Sequence, residues 1–202
     1  MSSPTAQRDF VSTSAFTRFA DALHEARRIE ASWFRAQAFA ALVRYAPDSQ
    51  VTYLATEAFA ASRNYKDAYG QVAVCAWLVR ALIERDEITI ARTYLMKLLA
   101  VSRLITPPPS AVEALYLLLN AVWSVPSFRE PTLTLFVETC AKANTWRAGR
   151  AMCEACLLIA TTDPARAQSV WERMPETRYK RQTRRLLDAG QMITPCPFFH
   201  AG

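Results

Sequence analysis

Apolar residues recur along this chain at steps of three and four, the spacing of one helical face. The pattern predicts a first helix over residues 14–28, where Phe16, Phe19, Ala20, Leu23 and Ala26 share a side. A second is expected over 32–46 with Ser32 as its N-cap, followed by helices over 49–62 and 65–84. Within 65–84, Val72–Val79 is apolar without a break, so that helix is expected to be enclosed by neighbours, as the inner layer of a stack is. Beyond the charged turn Glu84–Glu87 a helix runs to Arg103. Pro107–Pro109 then form a stiff joint, and Ser110 is expected to cap a helix to Trp123. Helices over 132–142, 145–160 and 176–189 complete the set, with a short one to Met174 opened by Asp163-Pro164, a cap followed by proline at the first helical position. About nine or ten helices are expected in all.

A short phrase returns every 40 residues: Ala60-Ala61-Ser62-Arg63, Ala100-Val101-Ser102-Arg103 and Cys140-Ala141-Lys142-Ala143. Each copy closes one apolar run and is followed by a turn and a second apolar run. Units of that kind bury their apolar faces against each other. The expected fold is therefore all-α, an α-solenoid-like stack of antiparallel helical hairpins. The expected organisation is an N-terminal extension over 1–13, a helical-repeat domain over 14–189 and an apolar C-terminal tail over 190–202. The tail carries Met192, Ile193, Phe198 and Phe199, more apolar surface than a free end usually keeps, so Ile193, Phe198 and Phe199 are candidates for docking a partner.

The segment Arg63-Asn64-Tyr65-Lys66-Asp67-Ala68 resembles the turn-and-alanine segment of a tetratricopeptide unit, and Ala143-Asn144-Thr145-Trp146-Arg147-Ala148 has the same form. Over residues 14–160 the chain resembles tetratricopeptide and pentatricopeptide repeats. Arg63 and Ala143 stand where those families have a turn glycine, and the 40-residue spacing exceeds their usual unit. The resemblance implies a binding surface. For pentatricopeptide proteins that surface takes single-stranded RNA, but no base-reading position can be placed on this chain.

Composition agrees with helices: the 202 residues include only 4 glycines, too few for many tight turns. The formal net charge of +6 comes mostly from arginine, since only Lys66, Lys97, Lys142 and Lys180 are lysines. Arginine's planar fork suits phosphates and carboxylates. A GC-rich genome would produce the same bias. No secretory signal peptide is recognisable, so the odd number of cysteines, 5, implies no disulfide framework and an intracellular setting is expected. The stretch Met1–Phe19 is rich in Ser and Thr, with Arg8 and Arg18 against Asp9, and weakly resembles an organellar targeting segment. The mitochondrial matrix is thus favoured over the cytoplasm. The longest apolar run, Leu115–Val125, is too short to cross a bilayer.

The densest charge lies in the last helix, where Arg178, Lys180, Arg181, Arg184 and Arg185 fall within eight residues. Arg178, Arg181 and Arg185 share one face. Such a stripe suits RNA phosphates, an acidic protein patch or anionic lipid, or is simply a solvated face. One metal-like set is present, Cys153-x-x-Cys156 with Cys196 and His200. Its first pair sits mid-helix, so buried thiols are the preferred reading and no metal or cofactor is expected. Trp33, Trp77, Trp123, Trp146 and Trp171 read as core residues, with Trp146 and Trp171 left open because Arg147 and Arg173 lie close by. Gly70 and Gly149 are read as sites of close helix packing. With two histidines, His24 and His200, the chain shows no Ser-His-Asp order, paired-carboxylate motif or phosphate-cradling glycine loop, so no enzyme is expected. The reading that follows is a non-catalytic scaffold or accessory subunit of a larger assembly. The alternative is an RNA-binding repeat protein of an organellar ribonucleoprotein such as a mitochondrial ribosome.

Overall fold

A computed structural model describes residues 3–64 and 67–199 of the chain. Among the described residues there are eleven α-helices and no strand, so the fold is all-α. The chain divides into two compact units, Met1–Leu104 with Pro197–Gly202, and Ile105–Cys196.

The first unit holds α1 (Pro4–Ser14), α2 (Phe19–Arg28), α3 (Ser32–Val43), α4 (Asp48–Arg63), α5 (Ala68–Glu84) and α6 (Ile88–Ser102). Successive helices pack on one another, and α3 also touches both α1 and α5, which makes the odd-numbered helices an inner row. The sequence supports that placement. Every residue from Ala36 to Val43 in α3 is buried, and between Val72 and Val79 in α5 all are buried but Trp77. A helix apolar all round must be covered all round.

The second unit holds α7 (Pro108–Ala121), α8 (Pro126–Ala143), α9 (Trp146–Ala160), α10 (Pro164–Glu172) and α11 (Arg178–Asp188). Here α9 is central, touching all four of the others. Leu115, Leu118 and Leu119 of α7 and Phe128 and Phe136 of α8 are its largest fully buried side chains.

The repeated phrase has a structural counterpart, since its copies close α4, α6 and α8. Ser62 and Ser102 are buried, and each hydroxyl donates to the carbonyl three residues back, Phe59 O at 2.7 Å and Leu99 O at 2.8 Å. These are local side-chain-to-backbone bonds that leave a buried hydroxyl with a partner inside its own helix end. In the third copy exposed Lys142 takes the serine's place, and α8 ends instead at Asn144 in a left-handed conformation (φ 39°). Asn144, rather than Ala143, thus takes the conformation a turn glycine would adopt.

Several boundaries differ from those expected. Within the stretch expected as an extension over 1–13, residues 4–13 belong to α1. Ser3 caps it by accepting the Ala6 N–H (3.2 Å), Pro4 opens it, and buried Val11 and the bond from Arg8 Nη1 to Gln37 Oε1 (3.1 Å) seat it on the unit. The helix expected over 14–28 begins only at Phe19, and Phe16, 76% exposed, lies in the turn before it rather than on a buried face. Ser32 and Ser110 lie inside their helices and cap neither; Ala31 and Pro107 hold the cap positions. The helix expected to start at 132 starts at Pro126, and Pro131 sits in the second turn of α8, where the bond it forgoes would reach the carbonyl of exposed Ser127, which water can serve. The domain expected over 14–189 is two units with a boundary after Leu104, just ahead of the triple proline.

The tail does not stand apart from the body. Phe198 and Phe199 are buried edge-on against Trp77, with ring centroids 5.6 and 5.2 Å away, and the Arg44 guanidinium lies 4.5 Å from the Phe199 centroid. Among the described residues no helix is long and apolar enough to cross a membrane.

Candidate functional site

The five cations of α11 separate into two sets. Successive residues of an α-helix are rotated by about 100° around its axis, which puts Arg178, Arg181 and Arg185 on one side and Lys180 and Arg184 on another. Lys180 and Arg184 are engaged with α10. Lys180 Nζ lies 5.1 Å from the Trp171 ring centroid, donates to Glu172 O (3.2 Å) and pairs with Glu176 (2.6 Å). The Arg184 guanidinium lies 5.4 Å from the same centroid, donates to Gln168 Oε1 (3.1 Å) and pairs with Asp188 (2.9 Å). Trp171 Nε1 donates to Lys180 O (2.9 Å), so this tryptophan anchors α11 and is not open to a ligand.

Arg178, Arg181 and Arg185 are exposed, and none of the three forms an ion pair among the described residues. Arg178 Nη2 donates only to the Tyr179 hydroxyl (2.8 Å), its guanidinium 4.8 Å from that ring's centroid. The three cations span about 10 Å of helix. A shallow groove of about 380 Å³ follows them, with Gln182 and Leu186 as its other lining residues.

The position of this stripe depends on Gly149. A Cβ there would come 2.7 Å from Tyr179 Cδ2, so only a glycine lets α11 lie this close to α9. Thr183, fully buried, fixes the same contact: its hydroxyl donates to Tyr179 O (2.7 Å) and its side chain hydrogen-bonds Cys153. Gly149 therefore serves close packing, as its place within a helix implied.

Trp146 stands beside the stripe at the start of α9. It is 58% exposed, an unusual state for a residue with so much apolar surface. Thr145 caps the helix, its Oγ1 accepting the Ala148 N–H (3.3 Å), and this sets the indole at the surface. On one side of Trp146 a hollow of about 240 Å³ has Cys140, Met152 and Met174 as its buried floor and Tyr179 and Arg178 toward α11. On the other side an open hollow of about 520 Å³ is bounded by Tyr116, Glu113, Glu154, Arg147 and Arg150. There the charges are matched: Arg147 with Glu113 (3.3 Å) and Arg150 with Glu154 (2.9 Å). Burial and the neighbouring Glu154 carboxylate raise the Tyr116 hydroxyl above its ordinary range.

Other candidates from the sequence are placed elsewhere. Phe198 and Phe199 already have a partner in Trp77, so they are not exposed for docking, while Ile193 is half-buried in the stretch before them. His24 is exposed on α2. Cys153 and Cys156 are buried in α9. Burial pushes the Cys156 thiol up to about 12, with Cys153 adding to the effect, and raises Cys153 and Cys140 as well. Thiols held protonated are poor metal ligands. Cys196, exposed, is tied toward α7 by its N–H donating to Asn120 Oδ1 (3.0 Å). His200, like Tyr65 and Lys66 of the first turn segment, lies outside the described residues, and among those described no group of three His, Cys, Asp or Glu side chains could hold a metal ion.

The sequence singled out the cations and left Trp146 open, but it did not reveal the hollow, whose walls come from α8, α9, the α10–α11 loop and α11. A glycine inside an otherwise regular helix was its single local trace. No known family model matches the chain, and no curated protein or solved structure is detectably similar to it.

Proposed function

We propose that this chain is a non-catalytic accessory or scaffold subunit of a larger assembly, and that the exposed arginine face of α11 is its working surface. The observation that carries the reading is the sorting of charge on that helix. Lys180 and Arg184 hold α11 to α10, whereas Arg178, Arg181 and Arg185 face outward and form no ion pair among the described residues. Exposed cations attract an anionic surface at long range, and a helix that is already folded has no backbone ordering left to undergo on binding. The likeness to tetratricopeptide hairpins supports the same class of function. The partner is an acidic protein.

A second reading, an RNA-binding protein of an organellar ribonucleoprotein, draws on one observation: an exposed Trp146 interleaved with Arg147 and Arg150 matches how aromatic and basic residues hold single strands. Affinity purification of the tagged chain from its own cells, with and without ribonuclease, separates the two. The scaffold reading expects protein partners that survive ribonuclease and are lost from the triple variant Arg178→Glu, Arg181→Glu, Arg185→Glu. Partners that vanish with the RNA would move the assignment to the second reading. Protein partners retained by the triple variant would remove α11 as the working surface.

A further inference from the structure

We infer that the hollow beside Trp146 receives one apolar side chain of an acidic polypeptide segment, whose carboxylates lie along Arg178, Arg181 and Arg185. This rests on the reading of α11 as the working surface and adds the chemistry of what it recognises.

The hollow has the properties of a side-chain receptor. Its floor is two thioethers, Met152 and Met174, and the thiol of Cys140, all buried. Thioethers are polarizable and adjust to the shape of an apolar guest. Tyr179 and Trp146 supply aromatic walls, and Gly149 lets the Tyr179 ring lie close enough to form one of them. Polar residues stand at the mouth: Asn144 and Arg178 are both exposed. Thr145, which also lines the hollow, has its hydroxyl oxygen committed to the Ala148 N–H. At about 240 Å³ the space suits one leucine, methionine or phenylalanine side chain and is smaller than a typical cofactor site.

A nucleobase fits this floor poorly. Each base carries donors and acceptors on its edges, and burying them against thioethers leaves them without partners, at a cost that stacking on one indole does not recover. An aliphatic or phenyl group has no such edge. The charge around the mouth then sets what flanks it. Arg178 borders both the hollow and the cationic groove, and Arg181 and Arg185 continue away from it in steps of about 4.5 and 6 Å along the axis. Alternate side chains of an extended peptide are spaced about 7 Å apart, so one anchor followed by acidic residues spans from the hollow onto the groove. Trp146 places a large apolar surface at the entrance, the kind of residue on which binding energy concentrates.

The test is a selection from short random peptides displayed on phage against the intact chain, with the variant Trp146→Ala, Arg178→Glu, Arg181→Glu, Arg185→Glu as counter-selection. The expected winners carry one aliphatic or aromatic residue beside two or more Asp or Glu. Synthesised with a fluorescent label, they should bind by anisotropy, weaken as salt rises, and weaken about tenfold on Trp146→Ala. Replacing the peptide's apolar anchor by serine should weaken binding about as much, and that arm leaves the protein untouched. A melting curve of the Trp146→Ala chain matching the parent shows that its fold is intact.

Failure to enrich any peptide over the counter-selected variant overturns the inference. So do winners without acids, or affinity indifferent to the anchor. An oligouridylate that binds more tightly than the peptides and is weakened by Trp146→Ala would assign the hollow to a base and overturn it as well. If the triple arginine variant loses its native protein partners while Trp146→Ala keeps them, this inference fails and the functional reading stands. If neither variant loses them, both fail.

Discussion

Replacing Gly149 by alanine pits helix propensity against a steric contact. Alanine in the body of α9 is favoured over glycine by up to about 1 kcal/mol, because the unfolded chain loses freedom and the helix gains none. Against that, the new methyl carbon would lie 2.7 Å from Tyr179 Cδ2, 3.1 Å from Cγ and 3.3 Å from Cβ. Carbon atoms rest at about 3.5–4.0 Å, so the clash is roughly 1 Å deep. The atoms struck are at the root of the Tyr179 side chain, whose backbone carbonyl is bonded to buried Thr183, so they cannot swing away without moving α11. Overpacking of this kind costs about 1–3 kcal/mol. The net expectation is a loss of about 1 kcal/mol, read as a lower urea midpoint at unchanged slope. In a Tyr179→Ala background the obstacle is gone, and the same substitution should stabilise by up to about 1 kcal/mol, a reversal of sign. If Gly149→Ala stabilises the parent chain, and by the same amount in both backgrounds, α11 does not lie this close to α9. The basic face would then have a different seat.

Three further expectations follow from burial. Phe199→Ala or Phe198→Ala should each cost about 3 kcal/mol, since both rings are buried on Trp77, and should change tryptophan fluorescence; an unmoved urea midpoint would show that the tail is not docked. Burial pushes the Cys75 and Cys156 thiols up to about 12 from an ordinary 9.0, so the folded chain holds these protons where the unfolded chain releases them. Their contribution to stability is whole below pH 9 and is lost as the pH rises from 9 toward 12, which alkaline unfolding curves should show. At pH near 8 a thiol reagent should modify exposed Cys196 promptly and Cys75, Cys140 and Cys156 only as the chain opens; equal rates for all would contradict the burial.

Much of the secondary structure was legible because its signals are local. Asp163 and Pro164 open α10 as their order implied, with Asp163 Oδ1 accepting the Arg166 N–H at 2.8 Å. The unbroken apolar run in α5 identified an inner helix. The recurrence of Ser62 and Ser102 marked equivalent helix ends. Even where the reading failed at the N-terminus, Ser3 followed by Pro4 carried the same kind of start signal. Ser32 and Ser110 misled because a small polar residue near a helix start does not say which of several turns will be the first. Pro131 misled because proline is tolerated wherever the carbonyl it deprives of a partner meets water.

The candidate site was legible only in part. The cluster of cations in α11 is a matter of composition, and any reader of the chain would find it. Which of them are engaged by the body was decided by Trp171 and Glu172, contributed by α10, and by the serial spacing that turns Arg178, Arg181 and Arg185 away from both. The hollow beside Trp146 needs the glycine of α9 to meet the tyrosine of α11.

On its own the sequence determined the helical class, the repeat of turns and the apolar faces, because each is set by residues within a turn or two of one another. Tertiary structure alone decided that Phe199 is covered by Trp77, that the chain divides after Leu104, and that two of the five cations of α11 engage α10 while three do not. Those outcomes depend on pairs separated by many residues, and periodicity carries no information about which distant partner a face will meet.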